Sequence, residues 1–262
     1  MHARLITEKA PTEECFEDGI AYSALHRPGW SAGRRSRDRR RWPSFALLML
    51  LCTSALAAQA QGPRQAPWVG TDESGASCAA KGGGWERPMM YLNPGPRDAE
   101  LYRKVVGAHF KPEIEQLAVP NADGNLNYTL RAIPNHHRAL YAMMRLQLQI
   151  RDQVQRGAFR FPAIECYFQR AISFAPGDAK VRMLYGMYKH RTDQTEAASK
   201  LYKQAFELDS RDPEIAYNLG LSLAELGRFE EALPYARQAY AQGIVFPGLA
   251  RQLKGKGYDV QR

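Results

Sequence analysis

Arg182-Met183-Leu184-Tyr185-Gly186 and Ala216-Tyr217-Asn218-Leu219-Gly220 stand 34 residues apart, and at the same offset Ala198 falls on Ala232 and Ala205 on Ala239. A fixed period of this length marks stacked helix–turn–helix units, none of which can bury its apolar face alone. Gly186, Ala198 and Ala205, and their counterparts Gly220, Ala232 and Ala239, are small where the two antiparallel helices of one unit approach closely. Ala232, Ala236 and Ala239 recur at i, i+4 and i+7 and so form one stripe, matched by Ala198, Tyr202 and Ala205. Gly227 supplies the turn between the helices, because glycine tolerates positive φ.

Leu219-Gly220, Leu223, Gly227, Phe229, Ala232 and Ala239 stand at the spacings of the tetratricopeptide repeat (TPR), the family this segment resembles. A more distorted copy precedes them. Arg138 to Met143 align with Arg182 to Met187 at an offset of 44, whereas Ile164, Phe168, Ala171 and Pro176 keep the offset of 34 to Ala198, Tyr202, Ala205 and Ser210. An insertion around Arg151 to Phe161 reconciles the two. The expected fold is therefore all-α, with about three TPR-type hairpins at 135–178, 179–212 and 213–246. An amphipathic helix at 247–256, carrying Leu249 and Leu253, covers the open end of the stack.

The net charge of +9 overstates the basicity of the folded part. Residues 1–60 hold nine Lys/Arg and six Asp/Glu, which leaves 27 against 21, or +6, beyond them. No basic stripe with interleaved aromatics occurs in the repeats, so nucleic acid is not an expected partner. Arg34, Arg35, Arg37, Arg39, Arg40 and Arg41 precede an apolar run from Phe45 to Leu51 that ends in Ala55-Leu56-Ala57-Ala58-Gln59-Ala60. These are the parts of a secretory signal peptide, cleaved after Ala57 or Ala60. The run from Phe45 to Ala58 is 14 residues, short of the roughly 20 that a membrane-spanning helix needs. A periplasmic or secreted protein with no stable span after processing is expected; an inner-membrane protein held by an uncleaved signal is the alternative. Met1 to Gly33 lacks periodicity and is read as removed with the signal, or as lying upstream of the true start; a lipoprotein reading through Cys52 is disfavoured by Leu51 before it.

Beyond the extension and signal (1–60), residues 61–84 are rich in Gly, Ser, Ala and Pro and read as a flexible linker. Residues 85–134 read as an irregular cap segment ahead of the repeat domain at 135–262, with Trp85, Tyr91 and Leu92 pressed onto something apolar. Pro112-Glu113-Ile114-Glu115 looks like the first turn of a short helix. The stretch Asp98 to Val106 is open to helix or strand, and Asn135 can cap the helix after Pro134. His109-Phe110-Lys111-Pro112-Glu113-Ile114-Glu115 and Asn127 to Leu140 together resemble motifs of exported bacterial TPR-containing proteins, a likeness over Cys78 to Tyr258. The resemblance implies fold and compartment, and no chemistry.

With Cys15 and Cys52 in the part expected to be removed, Cys78 and Cys166 form an even pair. In an oxidising compartment this predicts a disulfide that staples the N-terminal segment to the second helix of the first repeat; two free thiols are the other arrangement. His109, His136 and His137 with these cysteines could be drawn as a metal or haem site, but no C-x-x-C, H-x-x-x-H or C-x-x-C-H spacing supports it. No G-x-S-x-G or phosphate-cradling loop occurs either. No catalytic residue, cofactor or metal is expected. What the TPR resemblance implies is a concave groove lined by the first helix of each repeat, here Ala139, Met143 and Leu146, then Met183, Met187 and His190, then Tyr217, Leu221 and Ala224. The expected function is an exported, non-enzymatic adaptor that takes a protein or peptide in that groove; a periplasmic redox or metal-binding protein built on Cys78, Cys166 and the histidines is the rival. Two further expectations qualify the groove: the cap segment fills part of it, and Arg138, Arg145, Arg182 and Lys189 occupy positions where the family packs apolar residues.

Overall fold

The structure, a computed structural model, describes residues 65–260 apart from Glu86. The extension, the signal and the first residues of the linker lie outside the described residues. The described chain is all-α, with α1 (Ala99–His109), α2 (Pro112–Glu115), α3 (Ala122–Ala132), α4 (His137–Gln149), α5 (Arg151–Gln155), α6 (Ile164–Phe174), α7 (Ala179–Arg191), α8 (Thr195–Leu208), α9 (Pro213–Glu225), α10 (Phe229–Ala241) and α11 (Gly248–Lys254). Helices α7 and α8 pair as one hairpin and α9 and α10 as the next, while α4 packs on α6 across an excursion that contains α5.

The 34-residue period is visible in local chemistry as well as in packing. Asp178 caps α7 by accepting from Val181 N, and Asp212, 34 residues on, caps α9 by accepting from Glu214 N and Ile215 N, with Pro213 at the first helical position. The following turns need a left-handed residue: Gly227 has φ +76°, and its equivalent Asp193 has φ +61°. The small residues sit where the helices meet. A Cβ on Gly186 would lie 2.6 Å from the fully buried ring of Tyr202 on α8, and one on Gly220 would lie 2.9 Å from a terminal methyl of Leu249 on α11. Ala198, Ala205, Ala232 and Ala239 are fully buried, and so are Leu249 and Leu253 of the closing helix.

The chain ahead of the repeats is built into the fold. Between Ala99 and Ala132 the expected irregular segment folds into α1 to α3, and Asp98 to Val106 resolves as helix. The stretch expected to be a flexible linker is, from residue 65 onward, a strap tied to α6, because its few large or bonding side chains find partners that its composition does not announce. Trp68 packs edge-on against Tyr167 at 5.1 Å, Gln169 donates to Thr71 O, and Cys78 is bonded to Cys166, both cysteines buried. Closing a loop of this length, with a sequence separation of 88, stabilises the fold by roughly 4 to 5 kcal/mol at most in the chain-entropy model.

Helix α6 also carries Arg170, 2% exposed, which stacks its guanidinium on Trp68 and donates to Ala66 O, Leu130 O and Arg131 O. Leu130 and Arg131 belong to the last turn of α3, whose final four carbonyls have no partner within the helix. The other two are met by Ile133 N on Thr129 O and Met89 N on Ala132 O, so the buried end of α3 is satisfied in full.

The two repeat glycines should respond differently to alanine. A methyl on Gly220 meets a terminal methyl of Leu249, which a small side-chain rotation can move, while one on Gly186 meets a confined aromatic ring. Gly186→Ala should lower stability by about 1 to 3 kcal/mol through overpacking, whereas Gly220→Ala should fall within about 1 kcal/mol of the parent, helped by the better helix propensity of alanine. Urea unfolding followed by circular dichroism measures both; equal losses would contradict this packing.

Candidate functional site

The residues expected to line a groove do not form an open one. Ala139, Met143, Met183, Met187, Tyr217, Leu221 and Ala224 are 3% exposed or less, His190 is 8% exposed, and Leu146 alone is half-buried. The stripe is helical and on one face as expected, but that face is core. On α4 it belongs to the core cluster that also holds Phe110, Ile114, Leu126 and Leu130 of the cap, and α9 is buried all round between α7, α8, α10 and α11. His190 makes a 2.6 Å contact with Glu225 of α9 and packs against Tyr202.

Two of the four basic residues expected at apolar repeat positions, Arg138 and Lys189, tie the chain ahead of the repeats to them. Arg138 forms a two-pronged ion pair with Glu115 of α2 and lies over the Phe110 ring, and Lys189 pairs with Glu73 of the strap at 2.9 Å. Arg182 donates to Pro176 O, and Arg145 lies over the Tyr141 ring.

The histidines and Asn135 form a second clamp. His136, not Asn135, is the N-cap of α4: its Nδ1 accepts from Ala139 N at 3.2 Å, while its ring packs on Tyr91 and Phe110. Asn135 is free to reach outward, so its Oδ1 accepts from Tyr91 N of the cap and its Nδ2 donates to Asp178 Oδ2. His137 meets both oxygens of Asp178 at 2.9 Å. Burial raises the Asp178 pKa, but the hydrogen bonds from His137 and Asn135 outweigh it and hold the carboxyl below its ordinary range. His109 contacts Asn125 Oδ1 at 2.9 Å and stacks on Tyr128. Each histidine of the drawable metal set thus has separate work, both cysteines are in the disulfide, and among the described residues no three His, Cys, Asp or Glu side chains converge as metal ligands would.

What the cap leaves open is a cleft of ≈ 980 Å³ at the loop end of the repeats. Its walls are Met90, Tyr91 and Leu92 of the cap, the end of α6 and the α6–α7 loop at 173–178, Lys180, Leu208 at the end of α8, and Asp209 and Arg211 between α8 and α9. Two of these are exposed large apolar side chains, Leu92 at 62% and Leu208 at 45%. Leu92 also has φ +64°, a conformation that costs a non-glycine residue on the order of 1 to 3 kcal/mol. Lys180 is committed to Asp212 and Glu214 at the start of α9. The exposed leucines could not be found from periodicity, since both lie outside the repeating stripe.

A family model described as a TPR repeat matches residues 190–227, from the last turn of α7 through α8 and α9 to the Gly227 turn. No curated protein matches the chain. Among the described residues no helix is long and apolar enough to cross a membrane.

His136 makes the cap sensitive to acid. Burial, then the neighbouring His137 and Arg138, depress its pKa from 6.5 to about 3, consistent with an Nδ1 that must stay unprotonated to cap α4. Between those values the unfolded chain binds a proton that the folded chain does not, so stability falls as pH drops below about 6.5, by at most about 1.4 kcal/mol per pH unit. His136→Asn keeps a capping acceptor and removes the titration. Urea midpoints at about pH 7 and about pH 5 should differ less in this variant than in the parent; equal differences would contradict the assignment.

Proposed function

We propose that this chain is an exported, non-enzymatic adaptor that holds a protein partner in the cleft between its cap and the loop end of its repeats. A TPR domain generally mediates protein–protein interactions, and a TPR repeat is matched here at 190–227. The observation that carries the reading is the pair of exposed leucines in one cleft. Leu92 and Leu208 both line it, and an apolar side chain displayed on strained backbone is what a binding surface needs and an inert one does not. The occupant that fits is an extended segment of a partner carrying apolar side chains, because the rim charges are largely paired within the protein. The classical concave face is not offered for this role, since its side chains are core. Export rests on the arginine cluster, the short apolar run and the small-residue exit at 34–60.

The test uses the chain expressed in its own cell envelope with a photo-crosslinking amino acid in place of Leu92, Leu208 or, as a control, exposed Glu230 on α10. The reading expects a start between Ala58 and Gly62 by intact mass, and one discrete protein adduct from positions 92 and 208 but not from 230. Equal labelling at all three positions, or none at the cleft, would overturn the cleft. A chain that keeps Met1 to Gly33 after export would overturn the processing.

A further inference from the structure

The last repeat ends in a stretch whose side-chain charge is all of one sign. From residue 232 to residue 258 the chain carries Arg237, Arg251, Lys254 and Lys256 and no Asp or Glu. Elsewhere the fold meets its cations with carboxylates from distant parts of the chain, as Arg138 meets Glu115, Arg160 meets Asp123 and Lys189 meets Glu73. Here it does not. Arg237 donates to the main-chain oxygen of Asp259, Lys256 lies over the Phe229 ring, and among the described residues none of the four pairs with a carboxylate.

Beside these cations stands the most exposed large apolar side chain among the described residues, Val245 at 79%. The turn that displays it is pinned. It opens on Gly243, with φ +92°, and ends at Pro247, the N-cap of α11. The Tyr240 hydroxyl of α10 donates to Phe246 O at 2.8 Å and accepts from Ala250 N at 2.9 Å. The Phe246 ring packs on Tyr217 with 5.7 Å between centroids, so Ile244 and Phe246 are half-buried while Val245 between them stays outside. Helix α11 continues this surface. Its Leu249 and Leu253 are fully buried, and Arg251 stands opposite them around the helix with Lys254 beside it, both exposed. The charge of Arg251 is felt at the turn, where it counters the upward pull of burial on the Tyr217 and Tyr240 hydroxyls.

We propose that this end of the repeat stack docks on an anionic lipid bilayer, with Val245 entering the headgroup region and Arg251, Lys254 and Lys256 meeting lipid phosphates. Charge complementarity carries the choice of partner. The cations have no carboxylate of the protein's own, and an anionic leaflet attracts Lys and Arg held near its surface with a gain of about fivefold in affinity per charge. A protein interface of ordinary size has an apolar centre and keeps its charges at the rim, whereas here a single apolar side chain stands among cations. Nucleic acid would leave Val245 without a use, and the nearby rings of Tyr217, Tyr240 and Phe246 are engaged with one another rather than open for a base to stack on. The attachment is peripheral, since α11 is short and its apolar side is core. None of these residues lines the cleft that holds Leu92 and Leu208, so lipid docking and occupation of the cleft are separate properties.

The experiment is vesicle sedimentation of the oxidised chain from Gln61 to Arg262, which keeps every described residue and lacks the apolar run that would itself bind lipid. The probes are vesicles of phosphatidylcholine alone and of equimolar phosphatidylcholine and phosphatidylglycerol. Saturable binding to the anionic vesicles is expected, roughly tenfold or more tighter than to the neutral ones and weakened by added salt. Arg251→Gln with Lys254→Gln should weaken it about 25-fold, at about fivefold per charge. Val245→Ser should weaken it about three- to tenfold, the part of a full valine burial that shallow insertion recovers. Lys200→Gln with Lys203→Gln removes the same charge from the exposed side of α8 and should change it by less than about twofold. All five side chains are exposed, and circular dichroism melting checks each fold; the charge pair and the valine give independent readings should one variant fail to fold. Absence of binding to the anionic vesicles overturns the proposal. So do an equal loss from the α8 pair, which would mean that net charge alone acts, and unchanged binding in Val245→Ser, which with equal uptake of duplex DNA would mark a general anion surface.

Discussion

A guanidinium buried without a carboxylate is the constraint on which this fold turns. Arg170 cannot shed its charge at neutral pH, although burial lowers its pKa to about 10, so it must be solvated by protein. Carbonyl oxygens do this, two of them from the negative end of α3 and one from the strap. The dependence is mutual. Those two carbonyls would be orphaned in a dry contact without Arg170, and leaving a buried acceptor unmet costs about 1 to 3 kcal/mol each. A lysine could not replace it, because one ammonium lacks the planar fork that reaches three acceptors while stacking on Trp68.

The placement of the cap follows from that contact. The disulfide sits four residues from Arg170 on the same helix, so the strap is fixed covalently and by hydrogen bonds to one element. Arg138 and Lys189 then draw α2 and the strap's turn onto α4 and α7, where a more ordinary repeat would carry apolar side chains. The apolar stripe of α4 is thereby consumed by intramolecular contacts, and the surface left for a partner moves to the loop end, where the cap's Leu92 faces the same cleft as Leu208. Cap and repeats share one core, in which Phe110, Ile114, Leu126 and Leu130 lie with Met143, Phe168 and Leu184.

The repeats were legible because their packing is local and periodic. Gly186 and Gly220, Ala198 and Ala232, Ala205 and Ala239 are buried small residues at the same offset in successive paired helices, so steric demand prints a pattern in one chain. The cysteine pairing was legible from parity. Arg170 was not, because its partners are main-chain carbonyls from residues with no shared side-chain signature. The strap was not legible for a related reason: glycine and serine allow its turns, and its side-chain anchors are isolated residues such as Trp68, Glu73 and Cys78, in no repeating pattern. The groove failed at the next level of organisation. Periodicity identifies the apolar face of a helix, but only the long-range contacts decide whether that face meets solvent, a partner, or the protein's own cap.

Native-state hydrogen exchange of the oxidised protein tests most directly the claim that cap and repeats are one cooperative unit. Amides of Leu126 and Leu130 in α3 should open with the same free energy, and the same dependence on denaturant, as those of Leu219 and Leu221 in α9, since both helices exchange only through global unfolding. An α3 that exchanges through a separate, lower-energy opening while α9 remains protected would contradict the account.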